Sequence, residues 1–336
     1  MIRSKISIHS DDIDSWKKQW ENLLNTFAGH RAFLSPTWLL QTCKHLGKKP
    51  FVISVWDQDN LKALLPLVYT EENGKRIFEF PNAVLGEWLD ILAIEDSAAL
   101  AALRALMDEL HPQDAIYFMN LSKKSRLISA FGTLVEDRAD LNYDLKVRLP
   151  APYIDISNGW IPYLENKTHH FRYGLTTLYK EIEELNLMMV PFHQSGLAAE
   201  AVVEFFLENT VQRFREKSVY FPPTVQAFVR ETYPAFISKN YLSTHVMIDS
   251  QKKLRAFTWE VYSGDKSSVL GFQLAYDEKL KKTGIARYLI LSAIERACRE
   301  EIKTYDLGRT TNDLKERLKT DESKSFGLTI SRKATS

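Results

Sequence analysis

Residues 269–309 read VLGFQLAYDEKLKKTGIARYLILSAIERACREEIKTYDLGR, and the order of residue types in this stretch decides the fold: strand, glycine turn, amphipathic helix, strand. Residues 269–276 form an apolar, aromatic run of the density expected for a strand covered on both faces. A charged connection over 277–282 leads into Thr283, Gly284, Ile285 and Ala286. Beyond it, Tyr288, Leu289, Leu291, Ser292, Ile294, Ala297 and Cys298 lay a mainly apolar face at helical spacing, with Arg287, Glu295, Arg296, Arg299 and Glu300 mostly towards water. Gly284 therefore stands at a helix start. Unpaired backbone N–H groups and the helix dipole favour an anion there, and the missing side chain lets a phosphate come close. Lys281, Lys282 and Arg287 add positive charge around the same point. A glycine between strand and helix also serves simply to turn the chain.

The segment KKTGIA, residues 281–286, resembles the acetyl-CoA signature of the GNAT acetyltransferase superfamily: a glutamine or arginine, two residues, glycine, one residue, then glycine or alanine. Here lysine takes the first place. The preceding strand, the following helix and the next strand, TYDL at 304–307, are the elements that carry this signature in the superfamily. The sequel TYDLGRTTNDLKERLKT, residues 304–320, resembles the end of the CelD/BcsL-type acetyltransferase-like domain and of the related FemABX peptidyltransferases; FLSPTW, residues 33–38, resembles that domain's opening. The resemblance implies an α/β (α+β) fold of tandem GNAT-like domains, each a mixed, mostly antiparallel sheet flanked by helices. It also implies transfer of an acyl group from acetyl-CoA or another acyl-CoA, or from an acyl carrier protein, to the amine of a small-molecule, sugar or peptide acceptor. The FemABX-like alternative takes its donor from aminoacyl-tRNA. In a third reading, lysine at 281 signals a decayed site and the chain binds without turnover.

Composition narrows the classes. A chain of 336 residues is long enough for two domains with proper cores. Its 44 basic and 43 acidic residues leave a net charge of +1, so no global field holds DNA, RNA or an anionic membrane. Cys43 and Cys298 lie far apart on apolar helical faces and read as reduced core residues of a cytoplasmic protein. The first twenty residues lack an apolar core of signal-peptide length, and no run approaches membrane-spanning length. Zinc-type, Walker and nucleophile-elbow motifs are missing from the sequence, and His169 and His170 have no ligand-spaced carboxylate or cysteine, so no metal is expected.

Taken in order, an extended segment over 2–8 precedes a helix that buries Ile13, Trp16, Trp20 and Leu23. Ser35-Pro36 is a helix start, serine as N-cap and proline in the first turn. Residues 50–56 and 61–69 read as a hairpin in which Pro66 demands an edge or a bulge. Strands over 76–80 and 88–93, a helix over 97–110 and a strand over 115–121 follow. The second half repeats the order: a hairpin over 242–248 and 254–262, a strand over 268–276, the Gly284 helix and a last strand. In both halves about 55 residues separate the hairpin turn from the closing strand. The domains expected are 1–149, a scaffold, and 150–336, an acyltransferase domain with a helical insertion over 160–236; Pro150 and Pro152 mark the boundary. Where the second half has LKKTGIARYL, the first has IEDSAALAAL, with Glu95 and Asp96 repelling an anion. The cofactor is accordingly assigned to the second half.

Acyl transfer from a thioester to an amine needs a fixed donor arm, N–H groups to polarise the carbonyl, and a base for the amine proton. Residues 271–275, with Gln273, Leu274 and Ala275, are the strand for the first two, and Lys281, Lys282, Thr283, Gly284, Ile285, Ala286 and Arg287 the phosphate turn. Glu260 lies in the apolar run AFTWEVY, where a carboxyl should have a raised pKa suited to base work; it reads equally as an outward-facing strand residue. Asp277 is a second base candidate or a turn former. Tyr305 stands close to where the superfamily often has a general acid, and it reads equally as a packing residue. Arg309, Asn312 and Lys315 follow the last strand and suit the acceptor or its phosphate; Lys315 matches the lysine of the resembled families, while its own helix spacing reads equally as surface. In KTHHFRYGLTTLYK, residues 167–180, Lys167, His169, Arg172 and Lys180 face an anionic substrate or form a solvated helix face.

Overall fold

The computed structural model describes residues 2–27 and 30–333, and the chain forms two compact units. The first comprises Met1–Pro150, Ser263–Asp265 and Ser323–Ser336; the second comprises Ala151–Tyr262 and Lys266–Glu322.

In the first unit the elements run β1 (Ile2–Ser7), α1 (Ser10–Asp14), α2 (Lys17–Thr26), α3 (Pro36–Leu46), β2 (Lys49–Asp57), β3 (Asn60–Glu72), β4 (Lys75–Glu79), β5 (Leu92–Ala93), α4 (Asp96–Glu109), β6 (Ala115–Ser122), α5 (Arg126–Glu136) and the first part of β7 (Leu141–Asp155). Strands β1 to β4 pair antiparallel in order, and β6 joins β4 in parallel. The periodic face of the first helix is buried as its spacing implies, although that helix breaks in two before Lys17. Ser35 accepts from the N–H of Trp38 at 3.2 Å with Pro36 in the first turn, which satisfies one of the orphan donors of α3. The indoles of Trp20 and Trp38 stay buried because each N–H reaches a carbonyl, Leu34 and Pro81, at 2.8 Å. Pro66 pairs with Val52 of β2, while the other edge of β3 is bonded by β5 only at Ala63 and Leu64 and by β4 only from Val68. The missing N–H thus falls in a local gap.

The strand expected over 88–93 is only two residues long. Trp88 takes φ 51°, and Asn120 holds the preceding loop by donating to the carbonyls of Ala83 and Gly86, so the chain there cannot run straight. The strand β7 itself was hidden by its two prolines. Their missing N–H groups lie on the same side, two residues apart, and on that side Pro152 still accepts from the N–H of Leu307.

The second unit continues with α6 (Trp160–Glu165), α7 (His169–Glu184), β8 (Met188–Pro191), α8 (Phe192–Ser195), α9 (Ala199–Phe214), α10 (Pro223–Ser238), β9 (Ser243–Ile248), β10 (Leu254–Tyr262), β11 (Ser268–Tyr276), α11 (Ile285–Arg299), β12 (Thr304–Asp306) and α12 (Asp313–Leu318), after which β13 (Asp321–Arg332) returns to the first unit. Strands β8 to β11 pair antiparallel in order, β12 joins β11 in parallel, and the end of β7 closes on β12. From β8 onward this is the order of the first unit again, except that the two-residue β5 has no counterpart. In the second unit the added elements are α6 and α7, a shorter insertion than the expected 160–236. The chain exchanges its last strands: β13 pairs with β6 in the first unit, and β7 supplies Tyr153, Ile154 and Asp155 to the second.

One face of the second sheet carries an aromatic cluster, Phe206 and Tyr233 from α9 and α10 against Phe257 and Trp259 of β10. The other carries Met247, Ala256, Val269, Tyr276 and Tyr305 against Leu178 of α7 and Ile285, Leu289 and Ile294 of α11. The strands of the second unit are thereby covered by helices on both faces, the arrangement that a mixed sheet with two apolar faces requires. Among the described residues no helix is long and apolar enough to cross a membrane.

Candidate functional site

The parallel pairing of β11 and β12 is short: Ser268, Val269 and Leu270 match Thr304, Tyr305 and Asp306. Beyond that point β11 runs on to Tyr276, whereas the other chain turns away at Gly308, φ 75°. The two strands part, and among the described residues no strand pairs with the backbone of β11 from Gly271 onward on that side. On its other side, β11 carries a bulge: Trp259 pairs with Gln273 and Glu260 with Gly271, leaving Phe272 extra. At the fork sits Tyr305. A Cβ on Gly271 would lie 2.6 Å from its hydroxyl oxygen and 3.0 Å from Cε1, so glycine is what lets the phenol lie on the strand. Burial pushes the Tyr305 hydroxyl well above its ordinary pKa, and the charge of Glu260 adds to the shift. The phenol therefore stays protonated.

Glu260 is buried at 1% exposure on the α11 face of β10. Its Oε2 accepts from Nη2 of Arg296 at 2.8 Å, and Nδ1 of His245 stands 3.8 Å away. The raised pKa expected for this carboxyl is reversed. Burial alone would raise it, but the Arg296 guanidinium, with His245 and Thr258, carries it below the ordinary value. Glu260 is the ionised, buried partner of the half-buried Arg296 guanidinium. The sequence signal missed here was Arg296, which helical spacing placed towards water.

At the turn, Asp277 caps the 3₁₀ segment Glu278–Thr283 by accepting from the N–H of Lys279 at 3.0 Å, and it pairs with Arg255 at 2.8 Å. It is a turn former. Gly284 takes φ 74°, and no side chain caps α11. The first helical bond is Tyr288 N–H to Gly284 O at 3.1 Å, which leaves the N–H groups of Ile285, Ala286 and Arg287 without helical acceptors. Gly284 is exposed, yet one side of it is taken: an added Cβ would lie 2.7 Å from Cδ1 of Leu178. The residues added by α7 also hold Arg287, whose guanidinium lies over the Phe171 ring at 5.0 Å and donates to the Phe171 carbonyl at 3.4 Å. Lys281 pairs with Glu278 at 2.8 Å, and Thr283 donates to the carbonyl of Leu280 at 2.7 Å. Lys282 is exposed. In the first unit the matching helix α4 starts at Asp96 with Glu95 before it, a terminus already opposed by negative charge.

The residues expected to hold the acceptor are placed in two groups, each engaged with backbone. Arg172 donates to the carbonyls of Glu165 and Lys167, both at 2.9 Å, and so closes the end of α6. Lys167 donates to the carbonyls of Leu318 and Lys319 at the end of α12. Asn312 caps α12 by accepting from the N–H of Lys315 at 3.0 Å. Lys315 turns its ammonium to the carbonyls of Gly308, Arg309 and Thr310 at 3.4, 3.1 and 3.1 Å. Three carbonyls on one ammonium shape the loop that follows the fork. Arg309 lies within that loop, half-buried.

Residues 169–316 match the family model described as Acetyltransferase (GNAT) domain. No curated protein matches the chain by sequence. Among solved structures the chain is similar to FemX, at 10% identity and a TM-score of 0.63 over 97% of this chain and 96% of that one. It is also similar to L-PGS from Bacillus licheniformis, at 12% identity and a TM-score of 0.58 over 94% and 91% of the two chains. A third similar structure is the C-terminal domain of a putative lysylphosphatidylglycerol synthetase from Agrobacterium fabrum, with 10% identity, a TM-score of 0.57 and coverage of 96% and 92%. At these identities the likeness is one of fold.

Proposed function

Because residues 169–316 match the family model of a GNAT acetyltransferase domain, we propose that the second unit moves an acyl group from acyl-CoA, or a carrier thioester, to the amine of a small-molecule, sugar or peptide acceptor. The observation that carries this reading is the fork of β11 and β12 beside a helix start with no side-chain cap. Backbone N–H groups in such an opening can polarise a carbonyl without reorganising, and those of Ile285 and Ala286, with Lys282, fit an anion. A bound acyl thioester supplies the electrophilic carbonyl. Tyr305 keeps a proton at the base of the fork. Glu260, ionised and tied to Arg296, positions the strand that carries the bulge, and we assign it that role in place of the general base. Lys315 and Asn312 hold the loop on the acceptor side in shape, with Arg309 as the group in that loop suited to an acceptor anion.

One observation favours a second reading. Leu178 covers a side of Gly284 that the cofactor reading leaves to a phosphate, and an aminoacyl ester on tRNA carries no pyrophosphate. Calorimetry separates the two. Acetyl-CoA or a longer acyl-CoA should bind, and Lys282→Glu, a charge reversal at an exposed site, should weaken that binding by about tenfold. Heat with charged tRNA and none with either CoA ester supports the second reading; heat with neither leaves a binding protein without turnover.

A further inference from the structure

The first part of β7 is a strand of the first unit that its own chain leaves bare. On one side lies β13, held by the N–H of Leu149 on Ser325 Oγ and the N–H of Lys333 on Asp140 O. On the other side, β12 pairs only with Tyr153, Ile154 and Asp155, so among the described residues no strand bonds the outer edge of residues 142–149. Both faces of that segment are exposed. One carries Tyr143, Leu145, Val147 and Leu149, at 55%, 43%, 55% and 37% exposure; the other carries Asn142, Asp144, Lys146 and Arg148. A long bare edge with an apolar stripe is what soluble proteins avoid, by proline, bulge or cover. Here no proline intervenes before Pro150.

We propose that this edge is an interface between two copies of the chain, joined by antiparallel pairing of β7 with β7 about a two-fold axis at Leu145. The charge pattern chooses the partner and the register. With Leu145 on the axis, Asp144 stands opposite the other copy's Lys146 and Lys146 opposite its Asp144, while Asn142 meets Arg148. Directly opposed residues share a face, so Tyr143 meets Val147 and Leu145 meets its own copy, and the apolar stripes merge. Moving the axis one residue towards the C-terminus opposes Lys146 to itself; moving it one back opposes Asp144 to itself; placing it at Val147 sets Lys146 against Arg148. Each of these costs a like-charge pair. Within one copy Lys146 and Asp144 already form an ion pair, so both charges lie on the face where the second copy would meet them. A self-complementary patch is the form that a two-fold contact requires.

Gel filtration with light scattering on the full chain tests this. The chain should run at twice its mass. Asp144→Lys should raise the dimer dissociation constant at least tenfold, and the exchanged pair Asp144→Lys with Lys146→Asp should restore the dimer, which a folding defect would not do. Leu145→Cys should cross-link into a covalent dimer under mild oxidation, while the unaltered chain with Cys43 and Cys298 does not. A monomer at every concentration up to about 100 µM overturns the proposal, as does a dimer that Asp144→Lys leaves intact.

Discussion

Glu260→Ala is expected to lower the stability of the second unit by about 2–4 kcal/mol, because it leaves the half-buried Arg296 guanidinium without its counter-charge. Replacing both residues, Glu260→Leu with Arg296→Met, should recover most of that loss, since two apolar side chains bring no desolvation cost. Denaturant unfolding of the two single variants and the double variant measures the coupling. The pH dependence has a fixed sign. The folded pKa of Glu260 lies below its unfolded value, so the stabilisation is fully present above the unfolded carboxylate range. It is lost as pH falls through the folded pKa. An increase of stability on acidification in that range, removed by Glu260→Gln, would contradict the assignment of an ionised, paired carboxylate.

The second large effect is expected at Gly271. Valine there sets a side chain 2.6 Å from the Tyr305 hydroxyl, and overpacking of this kind costs about 1–3 kcal/mol. The greater loss should be in turnover, by at least a hundredfold, because the phenol must leave the base of the fork. The milder Gly271→Ala combined with Tyr305→Phe removes the closest contact. If the Tyr305 proton takes part in the chemistry, thermal stability should return towards that of the natural chain while turnover stays low. Recovery of both would reduce Tyr305 to a packing residue.

Much of this was legible because local pattern and tertiary setting agree over residues 269–309. The apolar run became β11, the 3.6-residue face became α11, and TYDL became β12 with little shift of boundary. Agreement of propensity, pattern and turn chemistry is the condition under which a sequence can be read directly. The duplication was legible for the same reason, since both hairpins and both closing strands alternate as strands do. Side-chain assignments at the site were less so, because each depends on a partner from another element. Glu260 looks like a base with a raised pKa until Arg296 arrives from α11. Arg172, Asn312 and Lys315 look like acceptor ligands until the bare carbonyls and N–H groups of helix ends and loops claim them. Gly284 looks like an opening for phosphate, and α7, an element that the repeat does not contain, brings Leu178 onto one side of it. Composition could not announce β7 either: Pro150 and Pro152 read as a boundary, and a strand may carry both only because they face the same side.

The central claim, that the fork and the helix start of the second unit receive the acyl donor, is tested most directly by amide hydrogen exchange with and without acetyl-CoA. Exchange should slow in peptides covering residues 271–287 and stay unchanged over residues 94–100, where Glu95 and Asp96 precede the matching helix of the first unit. No slowing over 271–287 at saturating acetyl-CoA, or slowing confined to the first unit, would contradict it.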